Sequence, residues 1–125
     1  MKYAAVCVGG IIGAILRFLI TYWFQSFGSS FSIAILLVNV TGCFLLGYLY
    51  GLARAHEIPD WVIIGLGTGL IGAFTTFSTF SMEVIHYLEQ GAIFLSFFYM
   101  IVSSIVGYYL VYLGFSLAKT RKKEV

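Results

Sequence analysis

The sequence predicts an all-α membrane protein whose four helices each cross the bilayer. Hydrophobic residues make up 61% of the 125 residues and charged residues only 10%, whereas soluble domains are about a quarter charged. A soluble chain of this length cannot bury so much apolar surface and would expose large apolar patches. The apolar residues also fall into four stretches of about 20 residues or more, which is the length that a spanning helix needs.

The four predicted spans belong to one domain, 1–125, and they follow one another with short connections, which makes neighbouring helices antiparallel. Trp23 and Trp61 fall at span ends, where aromatic side chains favour the membrane interface. The net charge of +2 is too small to favour a nucleic-acid partner. The apolar composition instead predicts the lipid bilayer as the partner. The predicted spans cover residues 3–24, 31–52, 61–87 and 92–117.

Basic residues predict the orientation of the bundle, because loops rich in Lys and Arg stay on the cytoplasmic side. If the N-terminus is cytoplasmic, Lys2 and Arg54 lie inside, and the two outer connections contain no Lys or Arg. We therefore expect both termini in the cytoplasm. The tail on that side carries Lys119, Arg121, Lys122 and Lys123.

The third span contains an unusual cluster of hydroxyl side chains near its middle. Five of them fall within seven residues, directly after a run of glycines that ends at Gly72. Successive helical residues turn by about 100°, so the five cannot share one face. Each can bond back to the carbonyl four residues earlier, but five together favour a helix that breaks here. The five residues are Thr75, Thr76, Ser78, Thr79 and Ser81.

A break at this depth would release main-chain carbonyls that suit a hard cation. Irregular backbone inside a membrane occurs only where it meets protein, water or an ion. Sodium prefers oxygen ligands and is well served by unwound backbone. The pattern therefore predicts that Gly72 and Thr75 offer carbonyl oxygens to a sodium ion.

Phenylalanines recur every three residues on the same span, at Phe74, Phe77 and Phe80. Simple packing is sufficient to explain them. The alternative uses the quadrupole of the ring, whose edge is positive and whose face is negative. Ring edges can therefore line an anion path without supplying a full charge.

Other polar residues inside the spans each allow two interpretations. Asn39 can form an interhelical hydrogen bond, or its NH2 group can donate to a desolvated anion. Tyr99 and Ser103, four residues apart, can bond to their own backbone or donate to a moving anion. Arg17 can extend to the interface or pack against the broken helix. Glu83, the only acidic residue well inside a span, is a functional candidate without an assigned role.

No catalytic set emerges from the sequence. It contains no paired carboxylates, no Ser-His-Asp grouping, no phosphate-binding loop and no HExxH motif. We therefore predict that the chain is not an enzyme.

With these residues in view, the chain resembles the Fluc/CrcB fluoride channels of bacteria over essentially its whole length. The resemblance implies a fluoride-selective channel that exports fluoride passively across the bacterial plasma membrane and so lowers its cytoplasmic concentration. The motifs that carry it are Gly9-Gly10, Gly13-Ala14, Arg17-Phe18, Asn39 with Gly42 and, most specifically, Gly72 through Thr75-Thr76-Phe77-Ser78-Thr79-Phe80.

The resemblance also implies an assembly and a role for each motif residue. The family forms an antiparallel dimer with two pores and a central structural sodium that is not transported. Gly72 and Thr75 match the carbonyl positions that coordinate this sodium, and Arg17 matches the arginine of the first helix. The residues that match positions of the ion pathway are Asn39, Phe77, Phe80, Tyr99 and Ser103.

The strong charge bias departs from many family members, which carry almost none and insert in both orientations. A chain with a single orientation cannot form an antiparallel dimer by itself. A dual-topology homodimer and a heterodimer with an oppositely oriented paralogue therefore both stay open.

Two other functions compete with the channel. The first is a small proton-coupled exporter of the multidrug type, which needs a membrane-embedded carboxylate and has only Glu83 to offer. The second is a membrane scaffold that transports nothing, which leaves Asn39 and the hydroxyl cluster without an explanation.

Overall fold

The structure is a computed structural model, and it describes residues 1–27 and 31–120 of the chain. Within these two ranges all of the regular secondary structure is helical. Arg121, Lys122 and Lys123, which support the predicted orientation, lie outside the described residues. The elements are α1 (Lys2–Ser26), α2 (Phe31–Ala55), α3 (Asp60–Ile64), a π-helical segment (Gly65–Ile71), α4 (Gly72–Phe74), α5 (Phe77–Glu89) and α6 (Ile93–Thr120).

Four helical stretches in the described part of the chain are long and apolar enough to cross a membrane, which confirms the predicted number of spans. They are α1, α2, a third span that runs from Asp60 to Glu89, and α6. The observed helices continue past most of the predicted ends, and α2, for example, reaches Ala55. Helical hydrogen bonding continues beyond the apolar stretch, whereas a prediction from hydropathy stops with it.

Close backbone contact joins α1 to the first half of the third span. Gly9 and Gly13 are buried on one face of α1. A Cβ added to Gly13 would overlap with the Leu70 carbonyl and come within 3.0 Å of the Phe74 nitrogen. Because these neighbours are main-chain atoms, no rotamer change can relieve the overlap. Glycine at this position therefore sets the distance between the two backbones.

The second close pair is α2 with α6. Gly47 of α2 lies directly against the Val111 backbone, and Gly114 of α6 lies against the Phe44 carbonyl. Ile35 and Val38 of α2 are only 1% exposed. Since α2 also contacts the third span, it forms the centre of the bundle and can present side chains to the middle of the membrane.

The third span loses helical geometry at two residues. Helix α4 ends at Phe74 and α5 begins at Phe77. Between them Thr75 (φ −76°, ψ 159°) and Thr76 (φ −147°, ψ 122°) have extended backbone. We call Thr75 and Thr76 the extended pair. The Thr75 N–H still donates to the Ile71 carbonyl at 2.9 Å, so the last turn of α4 is closed before the chain straightens.

A tight turn connects α5 to α6. Gly91 has a φ of +75°, a left-handed conformation that glycine adopts at low cost. Its N–H donates to the Leu88 carbonyl at 3.0 Å, and the N–H of Ala92 donates to the Tyr87 carbonyl at 2.9 Å. These two bonds satisfy the carbonyls that the end of α5 would otherwise leave free.

Gly13→Ala should destabilise the protein by about 1–3 kcal/mol, which is the usual cost of inserting a methyl group into a filled contact. Gly10→Ala is the matched control, because a Cβ there meets no atom within 4 Å. Unfolding in mixed detergent micelles, followed by the fluorescence of Trp23 and Trp61, would compare the variants. Equal stability of the two variants would contradict the close approach.

Candidate functional site

A cavity of about 400 Å³ opens beside the extended pair, where α2, the third span and α6 meet. Six of the eight residues predicted for the site line this cavity, although they come from three distant parts of the sequence. Tyr99 and Arg17 are the two that do not line it. The six residues are Asn39, Gly72, Thr75, Phe77, Phe80 and Ser103.

Asn39 pairs with the main chain of Thr76 through two hydrogen bonds. The Thr76 N–H donates to Asn39 Oδ1 at 2.8 Å, and Asn39 Nδ2 donates to the Thr76 carbonyl at 3.0 Å. The interhelical hydrogen bond considered from the sequence is therefore present. A carboxamide NH2 group has two hydrogens, and this pairing uses one of them. Asn39 thus keeps a second N–H while it lines the cavity.

The same pairing removes the usual donor from the Gly72 carbonyl. In a continuous α-helix this oxygen would accept from the N–H of Thr76, but that N–H donates to Asn39. No hydrogen bond to the Gly72 carbonyl is found within residues 1–27 and 31–120. Gly72 is exposed on the surface of the chain. A free carbonyl oxygen of this kind is a ligand that hard cations prefer.

Arg17 reaches the extended pair from the opposite side. Its Nη1 donates to the Thr75 carbonyl at 3.4 Å, so the structure favours packing against the third span over extension to the interface. The contact is long for a hydrogen bond, and the carbonyl keeps a second lone pair. In the described ranges the only ion pair joins Lys2 to Asp60 at 3.9 Å. Arg17 therefore has no carboxylate partner there.

Three aromatic rings lie next to one another at the cavity, and two of them, Phe77 and Phe80, belong to its lining. Phe80 lies with its ring centroid 5.3 Å from that of Tyr99 at an interplanar angle of 25°, and 6.1 Å from that of Phe77. Tyr99 is only 7% exposed, and its hydroxyl donates to the Ser32 carbonyl at 3.1 Å. The structure therefore puts Tyr99 behind Phe80, where it covers one face of that ring.

Ser103 contributes an unpaired hydroxyl group. Its Oγ is buried and has no hydrogen-bond partner among the described residues. Leaving such a group unpaired costs about 1–3 kcal/mol. Ser103 also lines the cavity, so an unpaired donor lies at the cavity wall.

Thr76 lies at the centre of the site, although the sequence predicted no individual role for it. Besides its pairing with Asn39, it caps α5, because the Thr79 N–H donates to Thr76 Oγ1 at 3.2 Å. A threonine directly before the first residue of a helix is a known capping signal. That signal could have separated Thr76 from the other hydroxyl residues of the cluster.

Glu83 has partners that explain how a carboxylate lies within a span. It accepts a hydrogen bond from Ser32 Oγ, and the Tyr87 hydroxyl donates to the same Ser32 oxygen at 2.7 Å. Ser32 is 51 positions away in the chain and has no local pattern that would have indicated the pairing. Glu83 is not among the residues that line the cavity.

Comparison with known proteins supplies the family. Residues 4–115 match the family described as CrcB-like protein, Camphor Resistance (CrcB). A protein of Shewanella loihica named Fluoride-specific ion channel FluC is 42% identical over 117 residues, which are 93% of this chain and 94% of that protein. A Hydrogenobaculum protein of the same name is 36% identical over 115 residues, covering 91% of this chain and 94% of its own length.

A Bacillus cereus protein named Fluoride-specific ion channel FluC 2 is 42% identical over 118 residues, which are 94% of this chain and 97% of that protein. These relatives and the family match both extend over nearly all of the four spans. The resemblance inferred from the motifs is thereby confirmed, and the chain belongs to the CrcB family, a family of ion channels rather than enzymes.

Proposed function

We propose that the chain is a fluoride-selective channel that exports fluoride passively and so lowers the fluoride concentration in the cytoplasm. Relatives that are 36% to 42% identical are named fluoride-specific ion channels. The observation that carries the proposal is the meeting of Asn39, Phe80 and Ser103 at one cavity. Each of these side chains offers positive potential to an anion without carrying a full charge.

Fluoride holds its water tightly, so a narrow pore must replace that water with hydrogen-bond donors. The second N–H of Asn39 and the unpaired hydroxyl of Ser103 are two such donors. They belong to α2 and α6, so both helices face the proposed path. In this mechanism fluoride exchanges water for the Asn39 amide and then for the Ser103 hydroxyl.

The rings continue the path where no donor is present. Tyr99 covers one face of Phe80, so an anion can approach only the edge or the opposite face. The face of a phenyl ring is negative and its edge positive, so the edge is the favourable side. Phe77 and Phe80 would present such edges in sequence, and a larger halide would fit this constriction poorly.

The carbonyls of Gly72 and Thr75 would hold a structural sodium that is not transported. The free Gly72 carbonyl and the second lone pair on Thr75 fit a cation that prefers neutral oxygen ligands. A positive charge there would offset part of the cost that an anion pays in a low dielectric. Arg17 would keep the extended pair in place from the other side.

An antiparallel dimer would complete this arrangement and give two pores. Extended backbone at membrane depth is tolerated only where protein or a water-filled cavity covers it. Gly72 is exposed in the single chain, and the Phe77 side chain is 80% exposed. A second subunit would cover both. That subunit is either another copy inserted in the opposite orientation or an oppositely oriented paralogue.

The channel would lie in the bacterial plasma membrane with both termini in the cytoplasm. Lys2 and Arg54, at the ends of α1 and α2, support this orientation. Flow would depend only on the fluoride gradient and the membrane potential.

Replacing Phe80 by isoleucine should slow fluoride release from proteoliposomes by at least about tenfold, the factor that 1.4 kcal/mol of barrier corresponds to. The substitution keeps an apolar side chain but removes the ring edge. Release is measured with a fluoride electrode after a potassium ionophore removes the opposing voltage. Phe94→Ile is the matched control, because the Phe94 side chain is 83% exposed and away from the cavity. Equal release from the Phe80 and Phe94 variants would remove the ring from the mechanism.

Asn39→Asp should reduce fluoride release by at least about tenfold in the same assay. A carboxylate cannot donate to the Thr76 carbonyl or to fluoride, and its charge repels the anion. Gln25→Glu makes the same amide-to-acid change at an exposed position near the end of α1 and should leave the rate unchanged. Full activity of the Asn39→Asp variant, with an unaltered oligomeric state, would exclude Asn39 from the path.

The voltage-driven rate of fluoride release should be the same with and without an imposed pH gradient, because a passive pore does not couple to protons. Protein-free liposomes correct for leak. A rate that rises with the pH gradient would instead favour the proton-coupled exporter. In that case Glu83→Gln should abolish the rise, whereas Glu89→Gln, at an exposed position, should not.

A further inference from the structure

We infer that Arg17 sets the affinity and the valence of the cation that binds at the Thr75 carbonyl, because the guanidinium and the cation share that oxygen. The inference rests on the sodium site of the proposed function. It gives Arg17 a role in selecting the cation, beyond support of the extended pair.

The geometry of the contact leaves room for both positive groups. Arg17 Nη1 lies 3.4 Å from the Thr75 carbonyl oxygen, and that oxygen has a second lone pair. Thr75 lines the cavity, whereas Arg17 approaches from α1 and does not line it. A cation at the second lone pair of the Thr75 carbonyl would therefore share that oxygen with the guanidinium.

The charge of Arg17 is not compensated nearby. The Lys2–Asp60 ion pair is the only one within the described ranges. Glu83, the carboxylate of the same span, accepts from Ser32 and lies outside the cavity lining. Apart from Arg17, the hydrogen-bond partners of the extended pair among the described residues are the Asn39 amide, main-chain groups and hydroxyls. A cation bound at Thr75 would therefore experience the repulsion of the guanidinium without a carboxylate to offset it.

This repulsion discriminates by valence. Coulomb energy is proportional to the product of the charges, so the guanidinium repels a divalent cation twice as strongly as a monovalent one at the same position. A divalent cation is also more costly to dehydrate, and calcium sites normally compensate with several carboxylates. Here the ligands are neutral carbonyls beside a fixed positive charge. The site should therefore accept sodium and reject calcium.

Removing the Arg17 charge should lower the half-saturating concentrations of sodium and of calcium by different factors, and the ratio of the two factors can be predicted. Suppose that Arg17→Gln lowers the sodium concentration at half-saturation by about tenfold. The concentration for calcium should then fall by about a hundredfold, because the repulsion energy that the substitution removes is twice as large for a divalent cation. A residue that only oriented the carbonyl would do the opposite, since its loss would weaken the binding of every cation.

The test measures cation-dependent stability, which does not depend on transport. Protein purified in detergent without sodium is titrated with sodium or calcium chloride at constant ionic strength, and its unfolding temperature is read from tryptophan fluorescence. Fluoride is left out because it precipitates with calcium. The natural sequence should be stabilised by sodium and not by calcium, and Arg17→Gln should respond to sodium at lower concentration and to calcium as well.

Control variants distinguish the effect of the Arg17 charge from the effect of changing the side chain itself. Lys2→Gln removes a positive charge from the same helix, at an exposed position away from the cavity, and should keep the original response. Arg17→Lys keeps the charge and should continue to exclude calcium. Arg17→Met is a second neutral variant, to be used if Arg17→Gln does not fold.

Three results would overturn the inference. The first is a weaker or unchanged sodium response in the neutral Arg17 variants. The second is equal stabilisation of the natural sequence by calcium and sodium, which needs no variant at all. The third is the absence of any sodium response in the natural sequence. This result would also exclude the sodium site of the proposed function, whereas the first two results would overturn only the role of Arg17.

Discussion

The pairing of Asn39 with Thr76 is the interaction on which the rest of the structure depends. Main-chain polar groups inside a bilayer must be paired, because no water is present to solvate them. Helices meet this demand internally, but the extended pair cannot. Asn39 satisfies both the N–H and the carbonyl of Thr76. One carboxamide from a neighbouring helix therefore makes non-helical backbone tolerable near the middle of the third span.

Several features of the site follow from this pairing. The N–H of Thr76 that donates to Asn39 no longer reaches Gly72, which leaves the Gly72 carbonyl free. The restart of the helix at Phe77 fixes where Phe77 and Phe80 stand relative to the cavity. The cap that Thr76 provides stabilises this restart. The proposed oxygen site for a cation and the proposed aromatic lining for an anion thus have a common structural origin.

The features that could be predicted from the sequence are those whose physical signal is local. Hydropathy is a property of contiguous residues, so the four spans could be recognised without knowledge of their packing. The glycine and hydroxyl run drew attention to Thr75 and Thr76, and the polar cost of Asn39 indicated that it needs a partner. The partner of Asn39 could not be predicted, because a lone amide can bond to many groups. Ser32 with Glu83, and Tyr99 behind Phe80, likewise depend on how distant helices pack.

The π-helical segment Gly65–Ile71 has a consequence for how this chain can vary in evolution. Such segments accommodate one more residue per turn than an α-helix does, and here Gly65, Gly67 and Gly69 are buried along it. Loss of a single residue within it can therefore be absorbed by a return to α-helical winding, which keeps Thr76 close to Asn39. The same loss in an α-helical part of the span would rotate everything after it by about 100°. Substitutions are restricted instead, because a Cβ at Gly65 or Gly69 would come within 3 Å of Ala5 or Val6 on α1.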